Sequence, residues 1–372
     1  MLGLEPMPID VFDPVASTCI FAALFFGAVF LSFKKKIGSD LFPPSLSQEL
    51  KGFAMLAIVF AHIGYFLVND HRFLFPLSIF AGVGVDLFLF LSGFGLTVSA
   101  LKKTLSPKEF YKRHLPKLYV PLFITLGVFF SLDFFFLSKA YPLSYIAKSL
   151  AGIFTHADLF QDINSPLWYL TFILFFYLLF PLLFFKQKPL VSALLMYAAA
   201  KMLFFLHLPL FHDVRHLHII HGTAFPLGVA IGALYTRYPK ERDALKKKME
   251  GLGNLPYALL CLFFVITVCY FAYFSEIGTP LEEYVSLIVV GLILALFMLK
   301  RFEIGLFYLF GVYSYEIYLI HWPLISRYDS LYRYMPAWLA TALYLPLLLG
   351  ISFVLHKGVA LIFKRGKTRL VL

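Results

Sequence analysis

Residues 82–100 read GVGVDLFLFLSGFGLTVSA, an apolar stretch of nineteen residues with one charged side chain, Asp86. At about 1.5 Å per residue, a helix of this length crosses the roughly 30 Å hydrocarbon core of a bilayer. The whole chain has the same character: 60% of its 372 residues are hydrophobic and 14% are charged, whereas about 25% of a soluble domain is charged. A β-barrel would instead alternate polar and apolar residues. The sequence therefore predicts an all-α polytopic integral membrane protein.

Eleven apolar stretches are long enough to span the membrane. They lie near residues 15–33, 50–68, 78–100, 115–137, 166–185, 189–206, 217–235, 255–275, 281–299, 304–322 and 336–363. Cytoplasmic loops carry an excess of Lys and Arg, so these residues set the orientation. With the N-terminus outside, 25 of the 32 Lys and Arg residues fall in inner segments and 6 in outer segments. We therefore predict about eleven transmembrane helices, with the N-terminus outside and the C-terminus inside. The net charge of +11 then needs no nucleic-acid partner.

The chain is organised around one large membrane domain, residues 47–363. Residues 1–46 add an N-terminal transmembrane helix with a basic inner loop, and residues 364–372 form a basic cytoplasmic tail. We expect the outer loop near 138–165 to carry a short interfacial helix over a cavity mouth. The charged inner segment 236–254 is expected to form a solvated helix at the lipid headgroups.

Ionisable residues inside spans are the functional candidates, because each costs about 2.5–3.5 kcal/mol at membrane depth unless it is paired or faces water. Lys51 and His62 begin and end the segment KGFAMLAIVFAH. A helix places them about 16 Å apart on one face. Alternatively, Lys51 is an anchor that extends to the membrane surface, and His62 is a core histidine bonded to a neighbouring helix.

Asp86 lies about as deep in its span as His62 does in the preceding, antiparallel one. A carboxylate at that depth could hold the imidazole of His62 in the tautomer needed for base catalysis. A structural ion pair is the alternative. The glycines around Asp86, at positions 82, 84, 93 and 95, would also allow close helix packing.

The inner segment FYKRHLPKLYVP, residues 110–121, combines bases with aromatic residues. Cationic side chains beside aromatic rings suit phosphate groups and a stacked nucleotide ring. The candidates are Tyr111, Lys112, Arg113 and Lys117. The general excess of positive charge on inner loops is the alternative explanation.

Two further polar groups lie towards the outer side. The segment SYEIYLIHWP, residues 314–323, carries Glu316, Tyr318 and His321, although Trp322 and Tyr318 could instead form an interfacial aromatic belt. A histidine group near the seventh span comprises His212, His216, His218 and His221. His212 and His216 have helical spacing for a metal, but no third ligand is clearly placed. We therefore expect no metal and favour contact with a sugar or with solvent.

Together these segments resemble the membrane-bound acyltransferase-3 family, whose members O-acylate cell-envelope polysaccharides and related acceptors. The resemblance covers about residues 47–360. Lys51 and His62 resemble the family's basic residue, ten-residue gap and histidine. GVGVDLFLFLSGF resembles its Gly-Val-Asp-Leu-Phe-Phe-x-x-Ser-Gly-Phe segment, and FYKRHLPKLYVP its arginine-rich inner motif. SPLWYLTFILFFYLLFP, residues 165–181, and SYEIYLIHWP resemble its Trp-Tyr-Leu span and its late histidine segment.

The chain departs from the family pattern in places. Lys51 and Lys117 stand where arginine is common, His114 interrupts the arginine run, and Pro121 comes one residue late. A glutamate-containing segment that some members carry near the fifth span is missing. Lysine binds phosphate as a point charge, without the two parallel hydrogen bonds of arginine.

The resemblance implies a membrane-embedded O-acyltransferase. It would move an acyl group, most often acetyl from cytoplasmic acetyl-CoA, to a hydroxyl of an envelope glycan or lipid-linked sugar. The implied location is the inner membrane of a bacterium. The implied partners are the lipid bilayer, acyl-CoA and a saccharide acceptor, and the oligomeric state is left open.

The implied site has three parts. His62 is the general base and Asp86 holds it. The donor lies along Lys51 and the inner loop, with its phosphates on Lys112, Arg113 and Lys117 beside Tyr111. The acceptor-side residues are Trp168, His221, Glu316, Tyr318 and His321.

Three alternatives stay open. A transient acyl-histidine could replace direct transfer. A transporter or flippase of a lipid-linked saccharide would also place charges along a pathway, although we find no pair of Gly- or Pro-interrupted half-spans and no inverted repeat. A membrane scaffold would not need ionisable residues at depth.

Overall fold

The structure is a computed structural model that describes residues 9–35, 40–68, 70–103, 106–206, 213–275 and 281–365. Two short antiparallel strands accompany its helices, β1 (Phe33–Lys35) and β2 (Phe302–Ile304). The helices are α1 (Pro14–Leu31), α2 (Pro44–Gly64), α3 (Phe75–Ser78), α4 (Ala81–Lys102), α5 (Pro107–Leu137), α6 (Leu143–Leu150), α7 (Trp168–Leu183), α8 (Pro189–Phe205), α9 (Arg215–His221), α10 (Ala224–Arg237), α11 (Pro239–Glu250), α12 (Asn254–Tyr273), α13 (Glu282–Leu299), α14 (Gly305–Val312), α15 (Ser314–Ser326) and α16 (Ala337–Arg365).

These helices confirm the predicted all-α polytopic membrane fold. Within the described residues, nine helical segments are long and apolar enough to cross a membrane. The remaining two predicted spans are also helical. The sixth is α8, which has 17 residues, and the tenth is divided between α14 and α15.

Two spans are interrupted, which the sequence did not reveal. The seventh consists of α9 and α10, separated by Gly222 and Thr223, and the tenth breaks at Tyr313 between α14 and α15. From the sequence we expected no pair of Gly- or Pro-interrupted half-spans, and neither break occurs at a proline. Irregular backbone within a span is tolerated where it lies next to protein or a cavity.

Local sequence explains where the long helix α5 begins. Ser106 is its N-cap, Pro107 follows in the first turn, and Glu109 completes a reciprocal capping box. The Glu109 carboxylate accepts a hydrogen bond of 2.9 Å from the backbone N–H of Ser106. Capping of this kind satisfies N–H groups that have no partner within the helix. It fixes the start of the helix that carries Lys112, Arg113 and Lys117.

Contacts between distant segments support the prediction that successive spans run in alternating directions across the membrane. Lys300 forms an ion pair with Glu49 at 2.8 Å, and β1 pairs with β2, so these segments share one face of the bundle. The same alternation assigns all of them to the inner side. On the opposite side, Arg327 pairs with Asp133. The absolute orientation remains a prediction from the Lys and Arg distribution.

Both loops predicted to be helical contain a helix. α6 lies within the outer loop near 138–165, as expected for a short helix over a cavity mouth. α11 occupies most of the inner segment 236–254 and buries none of its residues. The charged inner helix is therefore not buried in the protein, and its place at the lipid headgroups stays a prediction.

Glycines bring helix backbones into direct contact at two crossings. α2 and α14 meet where a Cβ on Gly52 would overlap the Phe307 carbonyl group. α4 and α10 meet where a Cβ on Gly228 would overlap the Phe90 carbonyl group. Such close approach lets backbones pack where lipid provides no hydrophobic drive between helices. Gly93 is part of the second crossing, as expected, whereas Gly95 faces open space.

Candidate functional site

A cavity of about 440 Å³ lies among α2, α4, α5, α7, α9 and α15. Lys51 and Lys117 line it from the inner halves of α2 and α5, and Ala157 and Leu159 of the outer loop line it at the other side. Six residues predicted to form the site lie on its wall. These are Lys51, His62, Lys117, Trp168, His221 and Tyr318. The structure therefore brings predicted donor-side and acceptor-side residues together around one space.

The imidazole of His62 is bonded to a second histidine. Its Nδ1 lies 2.7 Å from Nε2 of His321, and the two rings are inclined by 10°. His321 is 1% exposed. Its own Nδ1 faces two carbonyl oxygens of α15, those of Ile317 at 3.0 Å and Tyr318 at 2.9 Å.

These contacts assign the hydrogen atoms of both rings. Carbonyl oxygens only accept hydrogen bonds, so Nδ1 of His321 carries a hydrogen and its Nε2 presents a lone pair when the ring is neutral. His62 must then donate from Nδ1. Neutral His62 consequently has an unprotonated Nε2, and no described residue bonds to that atom. A histidine whose lone pair borders a cavity can act as a general base.

The structure corrects the predicted partner of His62. Asp86 is fully buried, and its carboxylate accepts hydrogen bonds from His221 Nδ1 at 2.8 Å and from the Ser286 hydroxyl at 2.5 Å. The predicted pairing of Asp86 with His62 was therefore wrong. Equal depth was insufficient, because α9 and α13 pack against this face of α4 and supply the actual partners.

Aromatic side chains form the wall around His221 and His62. Trp168 stacks on the His221 ring, with 5.9 Å between ring centroids and 17° between planes. Tyr169 packs edge-on against Tyr318, whose hydroxyl donates to the Pro166 carbonyl oxygen at 2.8 Å. These contacts fix the rings, and their exposed faces can stack on a flat or apolar ligand surface.

The predicted donor residues separate into two groups. Lys51 and Lys117 line the cavity, and neither has a carboxylate partner in the part of the chain that the structure describes. Lys112 and Arg113 are exposed on α5, outside the cavity wall. Tyr111 also lies outside it, with its hydroxyl donating to the Leu178 carbonyl oxygen at 2.7 Å. The cavity thus has two half-buried cations towards its inner side.

Glu316 was predicted on the acceptor side, and the structure places it elsewhere. Its carboxylate lies 2.8 Å from Nδ1 of His356 on α16, and it does not line the cavity. The reason is helical geometry, since Glu316 lies about 100° around α15 from the cavity-lining Tyr315. His321, also assigned to the acceptor, lies behind His62 and contacts it directly.

The outer histidine group is divided. His221 reaches the cavity, His218 is buried against the Phe172 ring at 4.6 Å, and His216 is exposed. His212 lies outside the described residues. Among the residues that are described, no three His, Cys, Asp or Glu side chains are arranged as metal ligands.

Several cavity residues were missed as site residues in the sequence. Ser92 and Tyr177 lie on the cavity wall, and Ser314 lies there because α15 begins at the break. Ser92 belongs to the quoted glycine-rich segment, so a signal existed for it. The polar side chain of Ser314 gave no signal until the break was known.

A network of polar groups holds the outer loop beside the cavity. Asp133, fully buried at the end of α5, accepts from Arg327 and from the hydroxyls of Tyr141 at 2.5 Å and Tyr328 at 2.6 Å. Arg327 also donates to the backbone carbonyl of Asp162. Burial raises the pKa of the Asp162 carboxyl. This network holds the segment carrying Ala157 and Leu159 in place.

The fold and site define a polytopic membrane protein with a histidine-lined cavity between inner cations and outer aromatic residues. The family model of the Acyl_transf_3 acyltransferase domain matches residues 50–357, and the chain belongs to this acyltransferase-3 family. That match supports a membrane acyltransferase. No curated protein and no solved structure matches the chain significantly.

Proposed function

We propose that this protein transfers an acetyl group from cytoplasmic acetyl-CoA to a hydroxyl of an envelope glycan or lipid-linked sugar in a bacterial inner membrane. His62 acts as the general base. The observation that carries the proposal is the bond from His62 Nδ1 to His321 Nε2, which leaves the His62 Nε2 lone pair at the cavity. A hydroxyl is a weak nucleophile at neutral pH, and a base within reach of its proton removes that limitation.

The distance between Lys51 and His62 supports a CoA thioester as donor. Eleven residues of helix separate their Cα atoms, a rise of about 16 Å. In CoA, about 13 covalent bonds join the diphosphate to the sulfur, and at about 1.2 Å per bond an extended chain of that length reaches about 16 Å. A donor with its diphosphate at Lys51 would therefore present its thioester near His62.

The inner end of the cavity has the charge that such a donor needs. Lys51, Lys117 and Ser314, which is in the first turn of α15, are all on the cavity wall. The first N–H groups of a helix lack intrahelical partners, and its dipole favours anions there. In this proposal Lys51 and Lys117 bind the diphosphate, while Lys112 and Arg113 attract the donor from the surface.

The acceptor is assigned to the outer side of the cavity. Trp168, Tyr169 and Tyr318 present aromatic faces there, next to the outer-loop residues Ala157 and Leu159. Sugar rings have apolar faces that pack on aromatic side chains, while their hydroxyls remain available to His62. Attack of the hydroxyl on the thioester forms the ester bond, breaks the carbon–sulfur bond and releases CoA.

The test uses purified protein in lipid nanodiscs with radiolabelled acetyl-CoA and a membrane glycolipid extract as the source of acceptor. We expect CoA release together with label in an alkali-labile ester. His62→Gln should reduce transfer by about 10²–10⁴-fold, the usual contribution of a general base. His71→Gln, the same substitution at an exposed histidine, is the control. Wild-type transfer in His62→Gln would contradict the proposal.

Transport of a lipid-linked saccharide is the second candidate, because two interrupted spans border the cavity. Interrupted helices with free backbone groups at membrane depth are typical of transporter binding sites. Such a protein would move its substrate without consuming a thioester. Uptake of a labelled glycolipid into proteoliposomes, with no CoA released from added acetyl-CoA, would favour this candidate.

A further inference from the structure

Asp86 and His221 form a second functional group in the same cavity. Asp86 is 0% exposed and lies within a membrane span, where an uncompensated carboxylate is strongly destabilised. Lys201, which also donates to the Ile219 carbonyl oxygen on α9, is already paired with Glu283 at 2.6 Å. His221 is therefore the group that balances the charge of Asp86, at 2.8 Å.

This charge balance determines the hydrogen on the far side of the His221 ring. If Asp86 is ionised, a neutral pair requires His221 to be an imidazolium, with hydrogens on both nitrogens. If Asp86 holds the proton, it donates to Nδ1, and the neutral ring then carries its hydrogen on Nε2. In both of these charge-balanced states Nε2 of His221 is a hydrogen donor, whereas an ionised Asp86 beside a neutral His221 would leave an uncompensated buried charge. His221 lines the cavity, and stacking on Trp168 fixes its ring plane.

The partners of the two cavity histidines thus leave opposite functions on the Nε2 atoms of the two rings. The neutral partner His321 leaves His62 with a lone pair, whereas the carboxylate partner Asp86 leaves His221 with an N–H. Acyl transfer involves both functions, because a hydroxyl loses a proton and a departing thiolate gains one.

We propose that His221, held by Asp86, is the catalytic acid that protonates the departing thiolate while His62 accepts the hydroxyl proton. This rests on the proposed function. The oxygen–carbon bond forms, the carbon–sulfur bond breaks, and the hydroxyl proton moves to His62 Nε2. The sulfur takes the proton from His221 Nε2. One proton then passes from His62 to His221 and resets both groups, so that alcohol and thioester yield ester and thiol.

The experiment compares acetyl-CoA with its selenoester analogue, acetyl-seleno-CoA, in nanodiscs. The two donors have almost the same shape, but a selenol is much more acidic than a thiol, so selenolate leaves without protonation. His221→Gln should lower transfer from acetyl-CoA by about 10²-fold or more and transfer from the selenoester by less than tenfold. His62→Gln should lower both equally. His216→Gln, an exposed histidine of the same helix, should retain the wild-type ratio.

Asp86→Asn provides a second variant. A neutral amide that accepts from His221 Nδ1 leaves Nε2 without a hydrogen, so the same dependence on the donor is expected. The ratio of the two donor rates is independent of how much protein is folded. Equal losses on both donors in His221→Gln and Asp86→Asn would overturn the role of His221. A wild-type protein inactive with both donors would instead contradict the proposed function.

Discussion

Replacing Gly52 by alanine tests whether the crossing of α2 and α14 positions the histidine pair. A methyl group at Gly52 would lie 2.6 Å from the carbonyl carbon of Phe307 and overlap its oxygen. Ordinary van der Waals contact begins at 3.4 Å, so the two backbones must separate by at least about 0.8 Å. Neither contact atom belongs to a flexible side chain that could move aside.

This displacement acts directly on the proposed base. α14 leads through Tyr313 into α15, which carries His321, while α2 carries His62. A shift of 0.8 Å carried to α15 lengthens the bond from His62 Nδ1 to His321 Nε2 from 2.7 Å to about 3.5 Å, the limit of a hydrogen bond. The His62 tautomer would no longer be fixed. Overpacking of this kind also destabilises a fold by about 1–3 kcal/mol.

The assay combines the midpoint of thermal unfolding in nanodiscs with the rate of acetyl transfer. Gly52→Ala should lower both. The matched control is Gly95→Ala, because a Cβ on this α4 glycine meets nothing within 4 Å. In a helix that change is otherwise stabilising by about 0.5–1 kcal/mol. A Gly52→Ala protein as stable and as active as Gly95→Ala would refute the reasoning.

Three further predictions concern charges. Lys51→Met should raise the apparent KM for acetyl-CoA about tenfold, since a cavity-lining cation is lost; steady-state kinetics that show an unchanged KM would exclude its donor role. Arg327→Met leaves Asp133 buried without its counter-charge and should lower the free energy of unfolding by about 3–5 kcal/mol. Adding Asp133→Asn should recover part of the unfolding midpoint, and no recovery would contradict this pairing. Burial raises the pKa of Asp162 above its unfolded value, so its contribution to stability is greatest below the unfolded pKa and falls as pH rises through the folded pKa. The unfolding midpoint of wild type relative to Asp162→Asn should therefore decrease from acid to neutral pH, and an increase would be inconsistent with this sign.

The sequence was sufficient to predict the spans, because the thickness of the membrane sets a minimum length for an apolar segment that crosses it. Segments of that length can be found directly from the composition. It did not show the breaks at Tyr313 and at Gly222 and Thr223. Backbone interruptions depend on what packs beside them, and this information is spread over distant spans.

The sequence also predicted part of the candidate site, because the membrane makes buried ionisable residues conspicuous. Ionisable residues at depth identified His62 and Asp86, since lipid tolerates them poorly, whereas His221 was predicted as part of the outer histidine group. Depth alone does not identify the partner of a residue, however. The partner also depends on how each helix is rotated about its axis and on which helices are its neighbours in the bundle. His62 and Asp86 share a depth but face different helices, so their partners became known only from the packing of α9, α13 and α15.

The long separation of paired residues along the chain affects the order of assembly during synthesis. His62 precedes His321 by 259 residues, and Glu49 precedes Lys300 by 251. At about 5–20 residues per second, a ribosome needs roughly 13–50 s to reach the later partner. During that interval the early spans are already made while Glu49 lacks its counter-charge and His62 lacks its tautomer-fixing neighbour. Neither pair can form until translation has reached the last quarter of the chain. A truncated product would therefore insert the early helices without these pairs.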